Sequence, residues 1–457
     1  VFAEGPAVNS PSGPAGAGEV RALTLDQCIA YALENNPGLQ AEREKIVELE
    51  NDYRIAASAL YPKVTVSANY QRVDDERIGL LPGMAYSEEV LAQAKVKQVL
   101  FDGGKTWYSG RAAAKAEEAQ KESAEASRLD TILAVSQTYY RVLEARELLS
   151  VSETSRQQRE GFFKLTEAFS RSGRASRLEL LRAEAQLFDA ERSLSQAREA
   201  HRLSELILKK VIGMDLRENV EITNSLPQAF PEPPREEDLQ EAVLAGNPDL
   251  KKIVLLRQQS EATLRSSRGP YWPELSLQGT YGYRDRDTTS SGEDEWTAGV
   301  FLEWSLFEGG LTRAQVGKAR SKVNQVSWNE KAVRDQVLVD LRETLGNLRT
   351  ALAAVKSSKR LAEAQDEAYK AAVAFYKQGK STYLEVLSAQ VELTQAKASY
   401  IRAAGDYQNA SAKLDRVVGR SRHETEKPPI ETFGGRRGNG ETARFNSGSP
   451  RLPVAGS

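Results

Sequence analysis

The sequence predicts a mainly α-helical protein with a small β part, laid out as a tandem duplication of helix, strand, strand, long helix and return helix. Landmarks that recur at a nearly constant offset carry the prediction. Asn35-Asn36-Pro37 returns as Gly246-Asn247-Pro248, and Tyr61-Pro62 as Trp272-Pro273, both displaced by 211. Phe101-Asp102-Gly103-Gly104 returns as Phe307-Glu308-Gly309-Gly310, and Ser172-Gly173-Arg174 as Gln378-Gly379-Lys380, both displaced by 206. Ile212-Gly213 returns as Val418-Gly419. Such spacing, held over most of the chain, marks two copies of one structural unit. The β part rests on a second observation, short runs of alternating apolar and polar side chains inside otherwise helical tracts.

Residues 1–22 are rich in Pro, Gly, Ala and Ser and read as a flexible segment. Val1 and Ala3 suit the −3 and −1 positions of a signal-peptidase site, so the start fits a signal remnant as well as a fragment boundary. The first repeat spans 23–220. Thr24 caps a short helix that Asn35-Asn36-Pro37 stops, because proline cannot continue the ladder and restricts the residue before it. A second helix runs to Tyr61-Pro62. Strands follow at about 61–74 and 89–101. In the first, Val64, Val66, Ala68 and Tyr70 alternate with Lys63, Thr65, Ser67 and Asn69. Between Lys105 and Arg171 there is no proline, and a helix of that length reaches about 100 Å. Gly173 allows a reversal into a return helix, giving a hairpin over about 105–213. A Pro-rich linker covers 221–235.

The second repeat, 236–419, places strands at about 271–286 and 294–307 and a hairpin at about 310–418. Leu341, Leu345, Leu348, Leu352 and Val355 form a coiled-coil seam on its long helix. Residues 420–457 are rich in Gly, Pro, Arg and Ser and read as a disordered tail.

Composition narrows the function. Lys+Arg number 62 against 64 Asp+Glu, a balance unlike that of a nucleic-acid binder. No apolar run approaches the ~20 residues of a spanning helix. Cys28 is the single cysteine and only two histidines exist, so neither a disulfide nor a histidine metal site is expected. Gly317-Lys318 resembles the end of a phosphate loop, but Thr312 stands where glycine is required and Ala319 where Ser/Thr is. No nucleophile, acid–base pair or cofactor site stands out, and no catalysis is expected.

Four amphipathic strands cannot close a membrane barrel, which needs at least about eight, and open edges in lipid are very costly. Association removes the edges, and three copies supply twelve strands. Tyr70, Trp272, Tyr281, Tyr283, Trp296 and Trp304 stand where an interfacial aromatic belt would place them.

The two Asn-Pro stops, the aromatic-Pro strand starts, the Phe-Asp-Gly-Gly and Phe-Glu-Gly-Gly strand exits and the Gly-centred turns before Leu-Glu resemble the TolC family of outer-membrane efflux proteins over residues 23–419. The resemblance implies a homotrimer. A twelve-stranded β-barrel in the outer membrane of a Gram-negative bacterium would continue into a long α-helical coiled-coil barrel across the periplasm. It also implies a passive exit duct for efflux or type I secretion, working with a periplasmic adaptor (membrane fusion) protein and an inner-membrane transporter.

On the matching positions, Glu385 falls on a pore-facing aspartate of the periplasmic gate. Ser388 falls on a second gate position and lacks its charge. Tyr376 and Glu179 match a tyrosine–aspartate latch. Ser381 replaces the latch arginine, with Lys377 or Lys380 as a substitute. Gly173, Arg174, Gly379 and Lys380 become adaptor-contact tips. A glutamate at Glu385 also suits the start of a helix on dipole grounds alone. The alternative architecture is a periplasmic coiled-coil adaptor or scaffold without a barrel, which leaves the four strands unused.

Overall fold

The computed structural model describes residues 21–72, 88–218, 220–286 and 292–420. The first repeat runs β1 (Arg21–Leu23), α1 (Leu25–Asn35), α2 (Pro37–Ser58), β2 (Lys63–Arg72), β3 (Glu88–Phe101), α3 (Lys105–Arg171), α4 (Arg177–Ile212) and β4 (Val220–Ile222). The second runs α5 (Glu236–Gly246), α6 (Pro248–Ser266), β5 (Glu274–Arg286), β6 (Glu293–Glu303), α7 (Leu311–Lys377) and α8 (Tyr383–Val418). The helices α3 and α7 each have 67 residues.

The recurring Asn-Pro pairs join three elements at once. Asn36 ends α1 and caps α2: its Oδ1 accepts from the Gly38 N–H at 2.8 Å and the Leu39 N–H at 3.3 Å, with Pro37 in the first turn. Its Nδ2 donates to the Val211 carbonyl at 3.0 Å, at the end of α4. Asn247 repeats the arrangement, accepting from Asp249 and Leu250 and donating to the Val417 carbonyl of α8 at 3.1 Å. Asn247→Asp keeps the capping acceptor but turns an oxygen toward that carbonyl. The buried site makes a loss of about 1–3 kcal/mol the expected outcome, read as a lower thermal midpoint of the helical circular-dichroism signal.

The four longer strands form one antiparallel sheet in the order β2-β3-β5-β6. The helices extend that order. α2 leads into β2, β3 into α3, α6 into β5 and β6 into α7, and α2 packs on α3, α3 on α6 and α6 on α7. Along the hairpins the neighbours are α4 on α3, α3 on α8 and α8 on α7. Sheet and helices therefore make one wall with two free edges, one formed by β2, α2 and α4, the other by β6 and α7.

Apolar side chains between these helices form the core. One cluster gathers α1 with α3, α4 and α8 around Cys28, Val135, Tyr139, Leu208 and Ile212; another gathers α5, α7 and α8 around Leu341, Leu345, Leu348 and Leu414. Arg416, on α8, ties the repeats together: it pairs bidentately with Asp130 of α3 and with Asp249 at the start of α6.

Several boundaries differ from the sequence reading. Arg21 and Ala22, assigned to the flexible segment, belong to β1, which pairs in parallel with β4, across the assigned boundary between the first repeat and the linker. The linker is pinned further, by Arg146 on the carbonyls of Ile222, at 2.7 Å, and Asn224, and by the Tyr407 hydroxyl on the Pro231 carbonyl at 2.6 Å. Tyr271 lies in a short 3-10 turn ahead of β5. Trp304, Leu306 and Phe307 lie beyond the end of β6. Residues 73–87 and the tail from 421 lie outside the described residues.

Candidate functional site

Two regions carry the candidate residues: the faces of the sheet, and the tips where α3 turns into α4 and α7 into α8.

The strand registers sort the sheet into two chemically different faces. Val66 pairs with Ala94, Ala94 with Tyr281, and Tyr281 with Trp296. Val64, Val96, Gly279 and Ala298 form the adjacent row on that side, and Leu277 with Val300 the next. The other side holds Thr65, Lys95, Thr280 and Thr297, with Lys63, Lys97 and Gln278 beside them. The apolar side is not covered by the chain's own core: Val66 is 78% exposed and Trp296 73%. Tyr70, Trp272, Tyr281, Tyr283 and Trp304 are exposed as well. On the polar side Glu89 is buried, accepting from Gln71 at 2.5 Å and pairing with Arg286 at 3.1 Å and Arg284 at 3.3 Å. A water-soluble sheet would bury its apolar face; here that face is left uncovered, like the polar one.

At the tips the duplication gives matching geometry. Two residues past the end of α3 lies Gly173 (φ 74°), and two past the end of α7 lies Gly379 (φ 73°), both in the left-handed region where glycine reverses a chain without strain. Each return helix then opens on a capping box. Ser176 Oγ accepts from the Glu179 N–H at 3.2 Å while Glu179 Oε2 accepts from the Ser176 N–H at 2.8 Å. Thr382 and Glu385 do the same at 3.3 Å in each direction, and Ser381 adds its hydroxyl to Glu385.

Those bonds fix what the two glutamates do in the single chain. The Ser381 hydroxyl and the Thr382 N–H hold the Glu385 carboxyl below its usual range. The cap is therefore complete above the unfolded value of 4.5 and is lost as pH falls through the lower folded one. Glu179, engaged with Ser176, makes no hydrogen bond to Tyr376. The Tyr376 hydroxyl is instead pushed up first by burial and then by the Glu179 charge, with a Thr166 hydrogen bond opposing both.

Tyr376 belongs to an aromatic cluster that sequence patterns did not reveal. Its ring lies 5.2 Å from Phe162 and 5.9 Å from Phe169, and Phe162 lies 5.5 Å from Tyr383. With Ala183 and Val386 these side chains bring all four hairpin helices together near the tip. Partners more than 200 residues apart leave no local period, so only the aromatic composition beside both turns signals them. Burial likewise raises the Tyr383 hydroxyl.

The other tip residues are exposed. Arg174 lays its guanidinium over Phe169 at 4.5 Å, while Lys377 and Lys380 enter no ion pair among the described residues. Ser388 donates to Glu392 at 3.0 Å. Glu385, Ser388 and Glu392 thus share one exposed face of α8 at i, i+3 and i+7, which places a carboxylate one turn above the uncharged Ser388. Glu392 matches no landmark of the repeat, and only its helical spacing from Glu385 and Ser388 signals it in the sequence.

Among the described residues no helix is long and apolar enough to cross a membrane. The outer membrane efflux protein family profile matches residues 28–214 and 239–420. The outer membrane efflux protein BepC of Brucella suis is 24% identical over 340 residues, 74% of this chain and 72% of that protein. The outer membrane protein OprJ of Pseudomonas aeruginosa is 25% identical over 366 residues, 76% and 73% of the two chains. The crystal structure of the Campylobacter jejuni CmeC outer membrane channel superposes with a TM-score of 0.77 at 18% identity, covering 91% of this chain and 94% of that one. The adaptor or scaffold alternative falls: the chain belongs to the outer membrane efflux protein family and is an outer-membrane exit duct.

Proposed function

We propose that three copies close edge to edge, the β2/α2/α4 edge of each on the β6/α7 edge of the next. The result is a twelve-stranded barrel continued by an α-helical coiled-coil barrel in the periplasm. The matched edges of sheet and helices carry this reading, because a head-to-tail interface that repeats around a ring needs two different, complementary surfaces. Both edges carry exposed apolar side chains. Leu178, Leu181, Phe188 and Leu203 are exposed on α4, and Trp328, Leu361 and Phe375 on α7. Closure pairs the strand edges that would otherwise face lipid.

The duct conducts passively from the periplasm to the exterior as the last part of a tripartite efflux assembly. A periplasmic adaptor protein grips the tips at Gly173, Arg174, Gly379 and Lys380, and an inner-membrane transporter supplies the energy. Trp272 and Trp304 sit at the helix-proximal boundary of the membrane band, with Tyr70, Tyr281 and Trp296 toward the outer boundary. Discrete conductance steps from the purified protein in a planar bilayer are the expected result; no steps would refute the duct.

Glu385, with Ser388 beside it and Tyr376 and Glu179 near the same tips, narrows the periplasmic entrance. Glutamine at Glu385 keeps the capping box and removes the charge. Glu385→Gln is expected to raise conductance and weaken cation block. A rise with Glu385→Ala alone would assign the residue to the cap and not to the gate.

A further inference from the structure

The polar face of the sheet is not evenly charged. Two adjacent rows cross all four strands without a carboxylate: Lys63, Lys97, Gln278 and Gly299, then Thr65, Lys95, Thr280 and Thr297. Acids begin only outside them. Toward the helices, beyond Ser276 and Phe301, lie Glu274 and Glu303. Toward the loops, Glu89 and Glu295 are already paired with Arg284 and Arg286. Within the two rows Lys63 stands directly opposite Lys97, an unfavourable placement for like charges. Lys97 reaches Glu274 at 2.9 Å. Lys63 and Lys95 enter no ion pair among the described residues, and Lys95 is exposed between rows of hydroxyls, where Thr280 and Thr297 share a hydrogen bond of 2.5 Å.

We propose that Lys63, Lys95 and Lys97 form a cationic collar lining the helix-proximal mouth of the barrel, and that it makes that mouth, in series with the carboxylate entrance at Glu385, favour anionic solutes such as carboxylates, phosphates and sulfonates over cations of equal size. The inference rests on the barrel reading, since only a closed sheet gives the polar face a lumen. Three copies then place nine lysines on one ring, with Glu274 beside one lysine in each copy. Rings of lysine or arginine select anions in pores, and a narrow low-dielectric wall strengthens their field. Glu274 and Glu303 on the helix side and Glu293 and Glu295 on the loop side lie on the same face outside the two rows, so the cationic excess is local to the collar.

The test places a cysteine in the collar without removing a lysine. Thr280→Cys is made in the full chain and purified in detergent; Cys28 is fully buried and its thiol is pushed up to about 12, so it does not compete. The rates of reaction with an anionic (sulfonatoethyl) and a cationic (trimethylammonioethyl) methanethiosulfonate are compared, before and after Lys63→Gln, Lys95→Gln and Lys97→Gln are combined. The collar predicts that the anionic reagent is favoured and that the ratio falls on the order of tenfold in the combined variant. The zero-current potential in a potassium chloride gradient should move toward potassium over the same comparison. If the combined variant fails to assemble, Lys95→Gln alone is expected to give a smaller change of the same sign. An unchanged ratio and potential with a reactive Thr280→Cys would overturn the collar and leave the barrel standing. A Thr280→Cys that is inert while Gly279→Cys reacts would reverse the two faces and overturn the barrel reading itself.

Discussion

Arginine at Val66 or Val300 is expected to abolish assembly in the outer membrane, whereas arginine at Thr65, the neighbour of Val66, is expected to leave it intact. Val66 and Val300 lie on the two edge strands, on the predominantly apolar face, whose Leu277–Val300 row also holds Gln98, and are 78% and 62% exposed in the single chain. A charge on the lipid face near mid-bilayer costs about 2–4 kcal/mol, and every closed ring of three copies would carry it three times. Thr65 points to the opposite side, among lysines and threonines, where a cation meets water. The readout is the amount of protein recovered as an oligomer from the membrane fraction. Normal recovery of Val66→Arg and Val300→Arg would mean that lipid does not touch this face.

Alanine at Gly419 should unfold the junction that anchors α8, and should cost far more than alanine at Gly379. Gly419 has φ 78°, and a Cβ there would fall 2.6 Å from the Gly246 carbonyl oxygen and 2.7 Å from its carbon. Both atoms are backbone of the turn that holds Asn247, so neither can move without breaking the contacts of that residue with Val417. The left-handed backbone alone costs about 1–2 kcal/mol, and the clash raises the total to roughly 2–4 kcal/mol. Gly379 has φ 73°, but a Cβ added there would meet no atom within 4 Å, so Gly379→Ala carries only the first part. Thermal midpoints of the two variants in detergent provide the comparison, and equal losses would contradict it.

Much of this architecture is legible in the chain because its signals are local. Proline-free stretches, glycines at both reversals and Ser or Thr three residues ahead of glutamate outline α3, α4, α7 and α8 almost to the residue. The alternation of Val64 through Tyr70 fixes which side of β2 is apolar, because one residue of slip would exchange the faces. What escaped was set by partners far away in sequence. The strands β1 and β4 have three residues each, too short to show a period, and exist because each supplies the other's backbone partners. The side-chain amides of Asn36 and Asn247 read as helix stops, but their bonds to Val211 and Val417 depend on where the return helices finish. The aromatic cluster of Phe162, Tyr376 and Tyr383 draws on both repeats. Glu179 and Glu385 show the remaining difficulty. The same residue type and position serves a helix cap and would serve a charged entrance, and the cap is the role that local geometry displays.

The central claim is that one chain holds a third of a closed wall. Native mass spectrometry of the full-length protein, purified in mild detergent without cross-linker, tests it most directly. The account predicts a single species containing three chains; a folded one-chain species that stays in solution after the detergent is withdrawn would contradict it.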